Sequence, residues 1–227
     1  MKRIILVLLI FSTGVVSAQK FKYGVKAGLN ISSLRADYLD ETNAKSKTGF
    51  HSGVFVEYAF SENFSIQPEL LYSTQGGDSD SKKYDEADFY LGINPVPQLS
   101  YLNVPVMLKY EIIEKLHVEL GPQIGYLLSA KSNLEYIDSS RKETLEIDIL
   151  NGGNYTFLER DVQIESGVER FDYGLNFGLS YNLTKQLLLQ GRYNLGLSDV
   201  DKPSVRNNTR SYNSKNSVLQ FSLGFIF

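Results

Sequence analysis

Neither cysteine nor tryptophan occurs in the 227 residues. Without cysteine there is no disulfide, no thiol chemistry and no lipid-anchored cysteine, although an oxidising exported compartment stays open. Histidine is almost as scarce, with His51 and His117 the only two. No cluster of ligands has zinc-site spacing, and no glycine-rich phosphate loop is present. A basic surplus is also missing. The net charge is -3 and becomes about -5 if Lys2 and Arg3 are removed, which argues against nucleic acid as a partner. Beyond the N-terminus, no stretch approaches the roughly 20 apolar residues that a spanning helix needs.

The N-terminus itself has the layout of an export signal. Met1-Lys2-Arg3 is positive, Ile4 to Phe11 is apolar, and Val16-Ser17-Ala18 offers a small-residue cleavage site. The expected division is a signal peptide at 1–18 and one domain at 19–227. What the chain has in quantity is aromatic: 15 tyrosines and 13 phenylalanines. Tyrosine suits a membrane boundary, since its ring is apolar and its hydroxyl reaches the headgroups.

Those aromatics fall into a period of two. At the C-terminus Leu219, Phe221, Leu223, Phe225 and Phe227 point one way, while Gln220, Ser222 and Gly224 point the other. The same alternation recurs near 21–32, 49–60, 64–75, 99–111, 116–129, 168–181 and 186–197. Each segment is close to the 9 to 11 residues that cross a bilayer as a tilted strand. Pro68 interrupts the third segment and predicts a local bulge or irregularity there. The connections alternate strictly between long (33–48, 76–98, 130–167, 198–216) and short (61–63, 112–115, 182–185). The expected fold is therefore all-β: an eight-stranded antiparallel up-and-down transmembrane β-barrel with long extracellular loops and both termini periplasmic. In a soluble barrel the apolar rows would point inward, but the connection pattern and the aromatic load favour lipid.

The polar rows would then line a narrow interior with little room for a pore. They carry Lys26, Glu57, Glu69, Lys109, Glu111, Glu119 and Arg192, beside Gln67, Asn103, Gln123, Gln190 and Gln220. Confined charges need partners, so these residues are expected to form a structural network of ion pairs and hydrogen bonds. Catalysis by His51 or His117 with Ser65, Ser73 or a carboxylate would need a geometry that the pattern does not specify. The chain is read as not an enzyme, with no catalytic, cofactor or metal residues assigned. Inward glycines, Gly28, Gly53, Gly121, Gly125, Gly174 and Gly178, are expected to make room for bulky neighbours.

The loops are less specific. Asp78-Ser79-Asp80-Ser81 with Asp85, Glu86 and Asp88 could offer oxygen ligands to a divalent cation, but the ordered spacing of a calcium-binding loop is absent, so a solvated loop is the expectation. Leu145, Ile147 and Ile149 alternate and could carry a hairpin beyond the bilayer, stabilising the rim or meeting a protein. Lys202, Arg206, Arg210 and Lys215 could meet anionic lipopolysaccharide or the acidic loops.

Several of these segments together resemble one family. Tyr23-Gly24-Val25-Lys26-Ala27-Gly28-Leu29-Asn30 looks like the first strand of the PorT-like outer-membrane barrels of Bacteroidetes. The runs from Tyr101 to Tyr110, from Gly121 to Tyr126 and from Tyr173 to Gly178 resemble later strands, and the broader likeness is to small barrels of the OmpA and OmpX kind. The resemblance implies outer-membrane residence among lipid and lipopolysaccharide. It also implies insertion by the barrel-assembly machinery, with Phe227 as part of the recognition signal. It implies no common reaction. The expected role is structural or surface-interacting, with an unknown surface or secretion protein as a partner. The alternatives are an accessory part in type IX secretion and, further off, a lipid-modifying enzyme.

Overall fold

The computed structural model describes residues 20–36, 44–79, 89–93, 97–138, 142–164, 167–200 and 214–227. The expected signal peptide lies outside them, as do most of the acidic stretch near Asp80 and the basic positions Lys202, Arg206 and Arg210. The strands in chain order are β1 (Phe21–Ala36), β2 (Ala44–Ala59), β3 (Phe64–Ser79), β4 (Phe89–Ile93), β5 (Gln98–Ile113) and β6 (Leu116–Asp138). They continue with β7 (Lys142–Asp148), β8 (Gly153–Phe157), β9 (Arg160–Ile164), β10 (Phe171–Asn182), β11 (Leu187–Gly196) and β12 (Ser214–Ile226).

Eight of these strands, β1, β2, β3, β5, β6, β10, β11 and β12, pair antiparallel in chain order and close into a barrel. Closure comes from β12 on β1, with Ala27 opposite Leu223 and Leu29 opposite Phe221. A closed sheet presents no open strand edge to lipid. The alternation sets the two faces. Phe221 and Leu223 are 51% and 53% exposed, whereas Gln220 and Ser222, which alternate with them, are 3% and 7% exposed. The same inversion, apolar out and polar in, runs around the wall. Aromatic pairs ring it: Phe21–Tyr58 and Phe64–Tyr110 lie near the short turns, each at 4.7 Å between centroids, and Tyr126–Phe171 lies towards the other end at 5.4 Å.

The short turns are tied locally. Ser61 Oγ accepts from the Phe64 N–H, Thr184 Oγ1 from the N–H groups of Gln186 and Leu187, and Glu111 from the Lys115 N–H. Lys115 adopts φ 72° to make the β5–β6 turn. At Pro68 the expected irregularity takes a mild form. The β2–β3 register is the same on either side, with Phe55 opposite Glu69 and Tyr58 opposite Ile66. Its one register shift falls instead between Ser46 and His51. An outward-facing proline near the turn end removes one donor without adding a residue, so the ladder resumes in phase.

At the opposite end the third long connection, 130–167, is strand for most of its described length. β6 is 23 residues long, and its far half is flanked by β4 on one side and β7 on the other. The β5–β6 register shifts between Ser100 and Tyr101, which changes the phase of β6 after Leu127. Strict alternation therefore stops near 129 although the strand continues. The β8–β9 hairpin turns through Leu158 and Glu159, both at positive φ, and lays Phe157 and Ile164 on Leu134 and Ile147. This is a small second core, outside the barrel wall.

Candidate functional site

Among the described residues, charge is concentrated and buried in the barrel interior. Lys26, Lys109 and Arg192 face Glu57, Glu69 and Glu119 there, none more than 6% exposed. Strand pairing brings them together: Lys109 sits opposite Glu119 across β5–β6, and Gly178 sits opposite both Glu119 and Arg192. Arg192 donates from both terminal nitrogens to Glu69, each at 3.0 Å, and to Glu119 at 2.9 Å. Such a fork matches the planar geometry of a carboxylate better than a lysine could. Lys26 lies 2.7 Å from Glu69 and donates to Gln190, whose amide in turn donates to both oxygens of Glu119. Lys109 bonds Glu57 and donates to Gln67 at 3.0 Å, and Gln67 donates to Glu69 at 2.7 Å. Three cations thus balance three carboxylates, and Gln67 and Gln190 bridge them, while the Arg192 Nε has no hydrogen-bond partner among the described residues.

Glu111 stands apart from that cluster. Its carboxylate caps the β5–β6 turn and lies 4.0 Å from His117 Nε2, at the rim. Phe227 closes the last strand: its N–H donates to the Tyr23 carbonyl, and its ring lies 6.3 Å from that of Tyr23.

A second, uncharged layer joins the ionic one. His51 Nδ1 meets Asn30 Oδ1 and Nε2 meets Ser222 Oγ, both at 2.7 Å. The Asn30 amide nitrogen donates to Ser73 Oγ and to the Phe50 and Thr74 carbonyls, which fixes Oδ1 as the acceptor. His51 therefore carries its proton on Nδ1 and accepts from Ser222. Both nitrogens are occupied, and no carboxylate orients the ring as a base. Further on, Asn176 links Gln123 to Asn194, and Asp172 accepts from Ser198 and Asn216. Sequence reasoning named the inward rows that hold Asp172, Asn176 and Asn194 but not this second network. Amide and hydroxyl pairings depend on which strands adjoin, and alternation alone does not supply that.

Close strand approach makes the layers possible. A Cβ on Gly28 would run into the Phe221 carbonyl, and one on Gly121 into that of Val106. Apolar side chains occupy the interior at both ends. Phe55, Leu188 and Ile226 pack near the short turns, while Leu34, Leu99, Tyr101, Leu127 and Val200 pack at the other mouth.

Outside the wall, Asp148 organises the turn after β7. Burial pushes its carboxyl upward, but the side-chain amide and N–H of Asn151 and the N–H of Leu150 outweigh that and hold it below its ordinary 3.8. The Asp148 N–H donates to the Tyr155 hydroxyl, pinning the β8–β9 hairpin to the sheet.

A closed eight-stranded barrel with an apolar outer wall and a polar, charge-balanced interior defines an integral outer-membrane β-barrel protein. Residues 17–202 match the family described as the outer membrane protein beta-barrel domain, and the chain belongs to that family. Similar solved structures include the attachment invasion locus protein Ail of Yersinia pestis, at 14% identity over 92% of this chain and 99% of that one, with a TM-score of 0.47. Neisserial surface protein A follows at 10% identity over 90% and 97%, TM-score 0.46. The outer-membrane protease OmpT of Escherichia coli is also similar, at 12% identity over 93% and 98%, TM-score 0.42. These likenesses carry no argument about function. No curated protein matches the chain.

Proposed function

We propose that this protein is a non-catalytic, non-conducting outer-membrane scaffold that presents its extramembrane sheet to a surface partner. The observation that supports it most is the contrast between the two ends of the structure. The interior is filled by ion pairs among its own side chains between apolar ends, while β6, β7 and the β8–β9 hairpin build a separate core beyond the wall. Arg192 held between Glu69 and Glu119 fills the middle of the interior with paired charge, and a rim needing only closure would not need that second core.

Lys26, Glu57, Glu69, Lys109, Glu119 and Arg192 act on this reading as a structural plug, with Glu111 stabilising a turn. Residues 1–18 act as the export signal, Phe227 as part of the assembly signal, and both termini lie in the periplasm with the three short turns. Tyr23 to Asn30 and Tyr101 to Tyr110 support placing the chain among PorT-like barrels, and an accessory role in type IX secretion is the alternative reading that goes with that placement. A photo-crosslinking residue at Thr144 or Glu146 on intact cells tests the scaffold reading. Adducts with protein should form there and not from Leu175 on the lipid-facing wall. Adducts from neither position, or equally from both, would contradict it.

A further inference from the structure

Asp172 breaks the charge balance of the interior. The three cations and three carboxylates of the central cluster pair among themselves, and Asp172 lies apart from them, towards the mouth opposite the short turns, at 8% exposure. Its oxygens accept from neutral groups, Ser198 Oγ at 2.6 Å and the Asn216 amide at 2.7 Å. Among the described residues no cation pairs with it. A buried carboxylate without a counter-charge is expensive, because its own field has nothing to terminate on.

Two buried amides flank it. Asn216 is 1% exposed, and its Nδ2 donates to Asp172 and, at 3.3 Å, to the Tyr101 hydroxyl. Its Oδ1 is then a buried acceptor with no hydrogen-bond partner among the described residues. The two ends of an amide are about 2.2 Å apart, so Oδ1 stands within about 5 Å of the Asp172 carboxylate. A metal cation with oxygen ligands at about 2.5 Å spans that gap. Asn103, also 1% exposed, approaches from the other side: it sits opposite Gly125, which sits opposite Asp172. A Cβ on Gly125 would lie 2.6 Å from Asn103 Oδ1 and 3.5 Å from Asp172 Cβ, so the glycine opens the space across which the two side chains face each other. Asn103 Nδ2 is likewise buried without a partner among the described residues, so this amide gives up no donor bond by presenting its oxygen to an ion.

We propose that Asp172, Asn216 and Asn103 hold one monovalent metal cation inside the barrel mouth. A single carboxylate among neutral amide oxygens matches one positive charge, whereas a divalent ion would keep half of its charge unanswered. The ion would tie β5, β10 and β12 together across the interior, beside the apolar side chains of Leu34, Leu99, Leu127 and Val200. The central ion-pair cluster keeps its own balance, so the site is a terminal one and not a step in a path through the barrel.

Urea unfolding of the full barrel in lipid vesicles tests it, at pH near 7 and fixed ionic strength, with sodium chloride exchanged for N-methylglucamine chloride. Above the dissociation constant, the wild-type folding constant should rise about tenfold for each tenfold of sodium. Asp172→Asn should remove that rise, since the amide carries no charge to neutralise. Equal stability in sodium and N-methylglucamine, or an undiminished sodium response in Asp172→Asn, would overturn the site. A larger rise with calcium than with sodium at equal concentration would overturn the monovalent assignment. Wild-type crystals grown with thallium(I) nitrate decide the matter even if Asp172→Asn fails to fold. Anomalous density between Asp172 and Asn216 is the expected result, and its absence there would overturn the proposal.

Discussion

Replacing Arg192 with leucine is the sharpest perturbation of the interior. Arg192 is 1% exposed and supplies three charge-assisted hydrogen bonds, two to Glu69 and one to Glu119. Leucine fills much of the volume but leaves three carboxylates facing Lys26 and Lys109. Glu69 keeps Lys26 and Gln67, while Glu119 keeps Gln190 and, at 3.9 Å, Lys109. Removing one partner of a buried pair costs about 3–5 kcal/mol, mainly through the stranded charge. The expected loss is therefore about 4 kcal/mol. The double variant R192L/E119Q restores equal numbers of buried charges and should recover about half of that loss. Folding into lipid vesicles would be titrated with urea and followed by the mobility shift of unboiled samples. A loss below about 1 kcal/mol for Arg192→Leu, or a double variant worse than the single, would refute the reasoning.

Three further outcomes follow from the same structure. Gly28→Val should block assembly, because its Cβ would meet the Phe221 carbonyl of the closing strand pair; a folded species at wild-type yield would contradict this. Phe157→Ala should release the β8–β9 hairpin, at about 3 kcal/mol, and leave the barrel folded. Limited proteolysis should then cut the hairpin but spare the wall. The Asp148 carboxyl titrates lower in the folded protein than its ordinary 3.8, so its contribution is present above that pH and lost as pH falls below it. Protection of the Leu150 and Asn151 N–H groups against hydrogen exchange should fall in that acidic window, and unchanged protection there would count against the turn geometry.

The barrel could be read from period-two alternation because a lipid-facing wall imposes it on every strand, and Phe221, Leu223 and Phe225 show it with least interruption. The inward set followed from the same parity, which is why Lys26, Glu69 and Arg192 could be named together before any contact was known. Which carboxylate Arg192 would grip could not be read, since that depends on strand stagger around a closed sheet. Residues 130–167 read as loop because the phase change after Leu127 breaks the alternation, and because their apolar positions face a second core rather than lipid. Glu111 shares the parity of the interior residues but sits where the chain turns, so the turn rather than the interior claims its carboxylate. The Asn30–His51–Ser222 arrangement was hidden for a different reason. Small polar residues are common on inward faces, and only their cross-strand neighbours decide which of them bond.

Single-channel recording in planar bilayers tests the central claim, that the interior is a closed structural plug. The purified wild-type barrel should insert without producing a steady open-pore conductance, and R192L should fold less well rather than conduct more. A stable wild-type conductance whose ion selectivity changes in the K109Q or E119Q variant would contradict the account, because current would then be passing through the very charges held to seal the barrel.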